Sequence, residues 1–134
     1  MRLDIGRFLE GRLLETVNLI KAVYDLATGE GKDVEAFVHG RELVFARREP
    51  TGAGFVRLLP QETSVVISFP RGPELFDPGK RLRGFSTARR SLTLRSTMQL
   101  DPYVRRLIDE AYRLDAVEEK AAGPTGIDDD DDFW

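Results

Sequence analysis

Between residues 13 and 28 apolar side chains recur at helical spacing. Leu13, Val17, Ile20, Tyr24 and Ala27 form one stripe, widened by Leu14 and Val23. A face this broad predicts an amphipathic helix laid on a sheet. Gly29-Glu30-Gly31-Lys32-Asp33 should end it, because glycine takes the left-handed conformation that closes helices. Upstream, Phe8 and Leu9 would extend the helix if Gly6 and Gly11 allowed it. Val34-Glu35-Ala36-Phe37-Val38 is expected to make a short helical turn, and His39-Gly40 a loop.

The period then changes from helical to extended. Residues 42–47, 54–59 and 63–69 are short apolar runs rich in β-branched and aromatic residues, divided by Pro and Gly. They read as an antiparallel meander. Pro70 suits a strand end, since it has no N–H for the ladder. A long connection over 70–90 follows, of a length often tied to function. Ser91-Leu92-Thr93-Leu94-Arg95-Ser96 alternates apolar and polar, which predicts a half-buried fourth strand. Asp101-Pro102 opens the last helix, with Asp as N-cap and Pro where no hydrogen bond is lost. Val104, Leu107, Ile108, Ala111 and Leu114 line its inner face.

This order predicts an α+β fold of two layers. An antiparallel sheet of about four strands carries the N-terminal and C-terminal helices on one face. Residues 1–117 form the domain. Residues 118–134 are a linker and tail, broken at Gly123-Pro124-Thr125-Gly126 and too polar at Asp128–Asp132 to build a core.

Composition narrows the class. At 134 residues the chain has one domain's worth of core, and zero cysteines exclude disulfides and thiolate metal sites. No apolar run approaches the roughly 20 residues of a membrane span, and the N-terminus lacks the apolar centre of a secretory signal. A cytoplasmic protein without membrane partners is expected. The net charge of −3 hides a division: Arg41–Arg106 carries a balance of +7, Asp109–Trp134 one of −8 and residues 1–40 one of −2. A basic middle beside an acidic end suits nucleic acid, an acidic partner, a tail folded back on its own domain, or simply a solvated surface.

The connection Phe69-Pro70-Arg71-Gly72-Pro73-Glu74-Leu75-Phe76-Asp77-Pro78, with Leu82, Gly84 and Leu94-Arg95-Ser96, resembles the YdhG-like domains. These are bacterial proteins of largely unknown function, and the resemblance implies a frataxin-like α+β fold over residues 12–115. Thr87-Ala88-Arg89-Arg90 departs from the lysine-bearing turn usual in that family, and the acidic tail lies outside the pattern. Some relatives are described as iron chaperones. Here Glu10, Glu15, Asp25, Glu30, Asp33 and Glu35 are spread thinly for a hard cation that wants several oxygen ligands, although Glu30, Asp33 and Glu35 could cluster at the end of the first helix. Iron delivery enters only as part of the alternative reading, a small-ligand or anion-binding domain, and no metal or other cofactor is expected.

Within the same connection Arg71, Gly72, Glu74, Asp77 and Arg83 are candidate ligand residues. A guanidinium beside glycine offers a planar fork to an anion. The competing reading pairs Arg71 internally with Glu74 or Asp77. His39 is the only histidine, which rules out a histidine-based triad or a metal site with several histidines within one chain. Ser64, Ser68, Ser86, Ser91 and Ser96 lack the nucleophile-elbow pattern. No catalytic residue is nominated. Arg47, Arg48, Arg57, Arg81, Arg83, Arg89 and Arg90, with Phe55 and Phe85, would serve a nucleic-acid surface, although strand phenylalanines usually belong to the core.

The tail adds a different chemistry. Asp128, Asp129, Asp130, Asp131 and Asp132 precede Phe133 and Trp134. The segment resembles the acidic tips of bacterial single-stranded DNA-binding proteins, apart from ending in Trp rather than Phe and lacking the usual Pro. The resemblance implies a protein partner with a basic, apolar pocket. The acids steer the encounter and the aromatics supply buried area. A solubilising, disordered end and docking on the basic loop 80–90 are the alternatives.

Overall fold

A computed structural model describes residues 3–47, 54–84 and 89–122. Helix α1 (Leu3–Leu9) and helix α2 (Leu14–Thr28) are separated at Gly11, whose φ of 77° only glycine adopts without strain. Five strands follow: β1 (Val34–His39), β2 (Glu42–Arg47), β3 (Val56–Pro60), β4 (Val65–Phe69) and β5 (Arg90–Leu94). They pair in chain order as one antiparallel open sheet. Helix α3 (Pro102–Ala122) closes the fold and runs past the expected boundary at residue 117. No helix of the described residues is long and apolar enough to cross a membrane.

The sheet has one more strand than the sequence suggests. Residues 34–38 do not make a helical turn; they pair with β2 from Val34↔Arg47 to His39↔Glu42. The hairpin closes on Gly40-Arg41, with Gly40 at φ 62°, the position where a two-residue turn wants glycine. Val34, Ala36 and Val38 face the core while Glu35 and His39 face out. Period-two alternation was present over too few residues to outweigh the neighbouring glycine-rich turn.

All three helices pack on a single sheet face. Leu43, Phe45, Val56, Leu58, Val65, Ile67, Phe69 and Leu94 meet Ile5, Leu19, Ile20, Val23, Ala27, Val104, Leu107, Ile108 and Ala111 in one core. The face of α2 is rotated from expectation. Thr16 and Leu19 are buried, whereas Leu13 and Leu14 are 52% and 73% exposed. The Thr16 hydroxyl donates to the Glu62 carbonyl at 3.1 Å, which pins the start of the helix over the β3–β4 turn and leaves both leucines beyond the sheet. Helix α3 begins as expected: the Asp101 carboxylate accepts from the Val104 N–H at 3.0 Å.

On the opposite sheet face Arg57, 8% exposed, donates through Nε to Glu42 at 2.8 Å. The second Glu42 oxygen lies 3.7 Å from Arg89. Ser68, Val44 and Ala46 are buried on this face too.

Candidate functional site

The connection after β4 is folded back on itself rather than open. The Arg71 guanidinium forks onto Glu74, with Nε–Oε2 at 2.7 Å and Nη2–Oε1 at 2.6 Å. Its third nitrogen donates to the Leu114 carbonyl of α3 at 2.7 Å. Gly72-Pro73-Glu74 forms a short 3₁₀ turn that makes the i,i+3 reach possible. Arg71's bond holds the Glu74 carboxyl below its ordinary range. Gly72 is buried against the Arg90 side chain.

Asp77 organises the second half of this connection. It accepts the Arg81 and Leu82 N–H groups, each at 3.0 Å, and a short hydrogen bond from the Tyr103 hydroxyl. Burial alone would raise this carboxyl, but those donors outweigh it and hold its pKa down. The Tyr103 hydroxyl, which also accepts the Gly79 N–H at 2.9 Å, is pushed up by burial and by Asp77. Arg81 lies over the Tyr103 ring at 4.6 Å and pairs with Asp101 at 3.2 Å. Arg83 is exposed, and its backbone exchanges two 2.7 Å hydrogen bonds with Ser91. The structure therefore brings Arg71, Gly72 and Glu74 together in one turn, sets Asp77 in a neighbouring network with Tyr103, and leaves Arg83 apart from both. Beside them is a hollow of about 320 Å³ lined by Gly72, Pro73, Leu75, Asp77, Lys80, Leu82 and Arg90.

The arginines considered for nucleic acid are largely engaged. Arg47 pairs with Asp33 at 2.6 Å and stacks 4.2 Å from the Tyr112 ring. Tyr112 donates to Asp33 at 2.7 Å and meets Phe55 edge-on, and Phe55 is 3% exposed. Burial would raise Asp33, but Tyr112 and Arg47 hold it low. Of the thinly spread acids, Glu30 stands out: burial and the hydrogen bond and charge of Asp109 raise it to about 7. Among the described residues no group of three or more His, Asp or Glu side chains is placed to hold a metal ion. Arg48, Phe85, Ser86 and the tail, Asp128–Trp134, lie outside the described residues.

Sequence reasoning missed a second concavity, at the end of the sheet that carries the β1–β2 and β3–β4 turns. Two adjoining hollows of about 480 and 390 Å³ share Arg12, Arg41, Pro60 and Gln61. Phe8 and Leu59 line the larger, and Leu13 and Glu62 the smaller. Arg12 lines both hollows, donates through Nε to the Phe8 carbonyl at 2.7 Å and lies 4.8 Å from that ring; its outer nitrogens have no partner among the described residues. Arg41, at the hairpin tip, is exposed and has no partner among the described residues. The available signal was an arginine beside a turn glycine, Gly11-Arg12 and Gly40-Arg41, at two places that only the fold brings together.

By fold, the molecule belongs to the class of two-layer α+β domains with an open antiparallel sheet. Comparison with family models, with curated proteins and with solved structures yields no match.

Proposed function

We propose that the chain is a non-enzymatic interaction module: a cytoplasmic, YdhG-like domain of frataxin-like fold. Its segment Asp128–Trp134 engages a basic, apolar pocket on a protein partner or on its own domain. The observation that carries this reading is the composition of that segment, five aspartates followed by two large aromatics. Such a sequence joins long-range steering to a compact apolar anchor. The state of the Arg71 loop supports it by contrast, since that guanidinium is already spent on Glu74 and Leu114.

Affinity capture from cell extract with quantitative identification tests this. Specific partners should be lost when the chain ends at Pro124, lost again in Trp134→Ala, and displaced by a peptide of residues 126–134. Partners that survive all three changes would transfer the interaction to the domain and end the proposal.

One observation favours a second reading, a small-anion site in the 320 Å³ hollow. Lys80 lines it in a left-handed conformation, φ 50°, and its exposed ammonium has no partner among the described residues. Holding a non-glycine residue there costs ~1 kcal/mol, a strain often found at ligand sites. Inorganic phosphate should then shift the amide resonances of residues 72–82 in wild type and not in Lys80→Ala. Absence of any shift disposes of it.

A further inference from the structure

The structure assigns the groove between Arg12 and Arg41 as the docking site for the chain's own acidic-aromatic segment, in the same molecule. This inference rests on the reading of that segment as a docking element and names its resting place.

Three observations converge on the groove. The first is charge. Arg12 and Arg41 present guanidinium nitrogens without partners among the described residues. By contrast Arg47, Arg57, Arg71, Arg81 and Arg106 are all engaged with carboxylates. Among the described residues no acid lines the larger hollow, and Glu62 is the one acid that lines the smaller. A run of aspartates answers that field, and a guanidinium takes a carboxylate in a two-point fork.

The second is apolar surface. Phe8, Leu59 and Pro60 line the larger hollow, and Leu13, 52% exposed, stands at the rim of the smaller. A volume of about 480 Å³ falls within the range of ligand-sized pockets. An indole or phenyl ring there would recover the burial these side chains lack.

The third is reach. The second half of α3 is held at the opposite end of the sheet, where Tyr112 and Leu114 accept from Arg47 and Arg71 through their carbonyls. A six-residue strand such as β2 spans about 20 Å. The chain from Ala122 to Phe133, fully extended, spans up to about 36–40 Å. Helix α3 carries eight further residues, about 12 Å, from Leu114 to Ala122. The span back to the groove is therefore about 32 Å, which the extended chain beyond Ala122 covers. Docked there, the segment would occupy its own domain until a partner with a stronger basic pocket, or salt, displaces it.

Trp134 is the only tryptophan, so its fluorescence reports on the segment alone. The experiment compares emission maximum, anisotropy and iodide quenching in the full chain and in a free peptide of residues 126–134. Wild type at low salt should be bluer, less mobile and less quenched than the peptide. Arg41→Glu, which breaks no contact among the described residues, should bring all three values to those of the peptide with the far-UV circular dichroism unchanged. Arg12→Glu/Arg41→Glu should do the same. Arg83→Glu, an equal charge change at the other end of the sheet, should leave wild-type values.

A wild-type chain that matches the peptide at low salt would overturn the inference. So would docked emission that survives Arg41→Glu or that disappears on dilution, the latter pointing to a second copy. Partner capture sensitive to Trp134→Ala would survive any of these results, so the two proposals fail separately.

Discussion

Two arginine-bearing regions at opposite ends of the same sheet use the same chemistry in opposite ways. At one end Arg71 and Arg81 each meet a carboxylate, and Asp77 gathers three donors, so the connection after β4 is a clamp fastening strand to helix. At the other end Arg12 and Arg41 border an apolar groove and leave guanidinium nitrogens without partners among the described residues. The difference is geometric. The 3₁₀ turn sets Glu74 three residues from Arg71, within reach of a fork. The Gly40-Arg41 turn carries its arginine to a hairpin tip, where it makes no ion pair among the described residues. A charge in a clamp contributes to stability, whereas a charge at a groove is available to a ligand.

The largest test of this contrast is Asp77→Ala. It strands the Arg81 and Leu82 N–H groups and the Tyr103 hydroxyl, and should cost about 3 kcal/mol in urea unfolding. Arg71→Lys should cost less, about 1–2 kcal/mol, because an ammonium cannot keep both the Glu74 fork and the Leu114 carbonyl. If either substitution left the midpoint unchanged, the clamp would not be one.

The pH dependence separates the carboxyl groups further. Glu30 is raised in the folded state to about 7, from an ordinary 4.5. Its favourable contribution is therefore complete below the ordinary value and lost as pH rises through about 7. Asp33, Glu74, Asp77 and Asp101 are lowered, so what they contribute is present above their ordinary values and lost as pH falls through the folded ones. Thermal melts should show stability rising from pH 8 to 5 and collapsing in stronger acid. Glu30→Gln should remove the upper slope and leave the acid limb. An unaltered slope would place the carboxyl pair elsewhere.

Arg41→Glu should have the smallest effect on unfolding, within about 0.5 kcal/mol, as expected of a surface change that breaks no contact. A large loss would mean that the groove, like the clamp, is a structural element.

The two regions also differ in how far each could be read in advance. Arg71 and Glu74 are three residues apart, so their pairing was open to inspection as one of two readings. The remainder of the clamp was not: Tyr103 bonds to Asp77 across 26 residues, and Arg71 reaches Leu114 across 43. The same holds for Asp33 and Tyr112, 79 residues apart. Gly11-Arg12 and Gly40-Arg41 gave only the ordinary signal of turns.

From the sequence alone came the α+β class, strands β2 to β5, and α3 with its Asp101-Pro102 start. The charge division and the acidic-aromatic segment were legible there too. These depend on period, capping and composition, which act over a few residues. Tertiary structure decided that residues 34–39 form an edge strand, because a short alternating run becomes a strand only when a partner such as β2 completes its hydrogen bonds. It also turned α2 so that Thr16 is buried, with its hydroxyl on the Glu62 carbonyl, while Leu13 and Leu14 are exposed. It made a clamp at one end of the sheet and a groove at the other, because which charges meet is settled by chain closure over tens of residues, beyond the reach of local pattern.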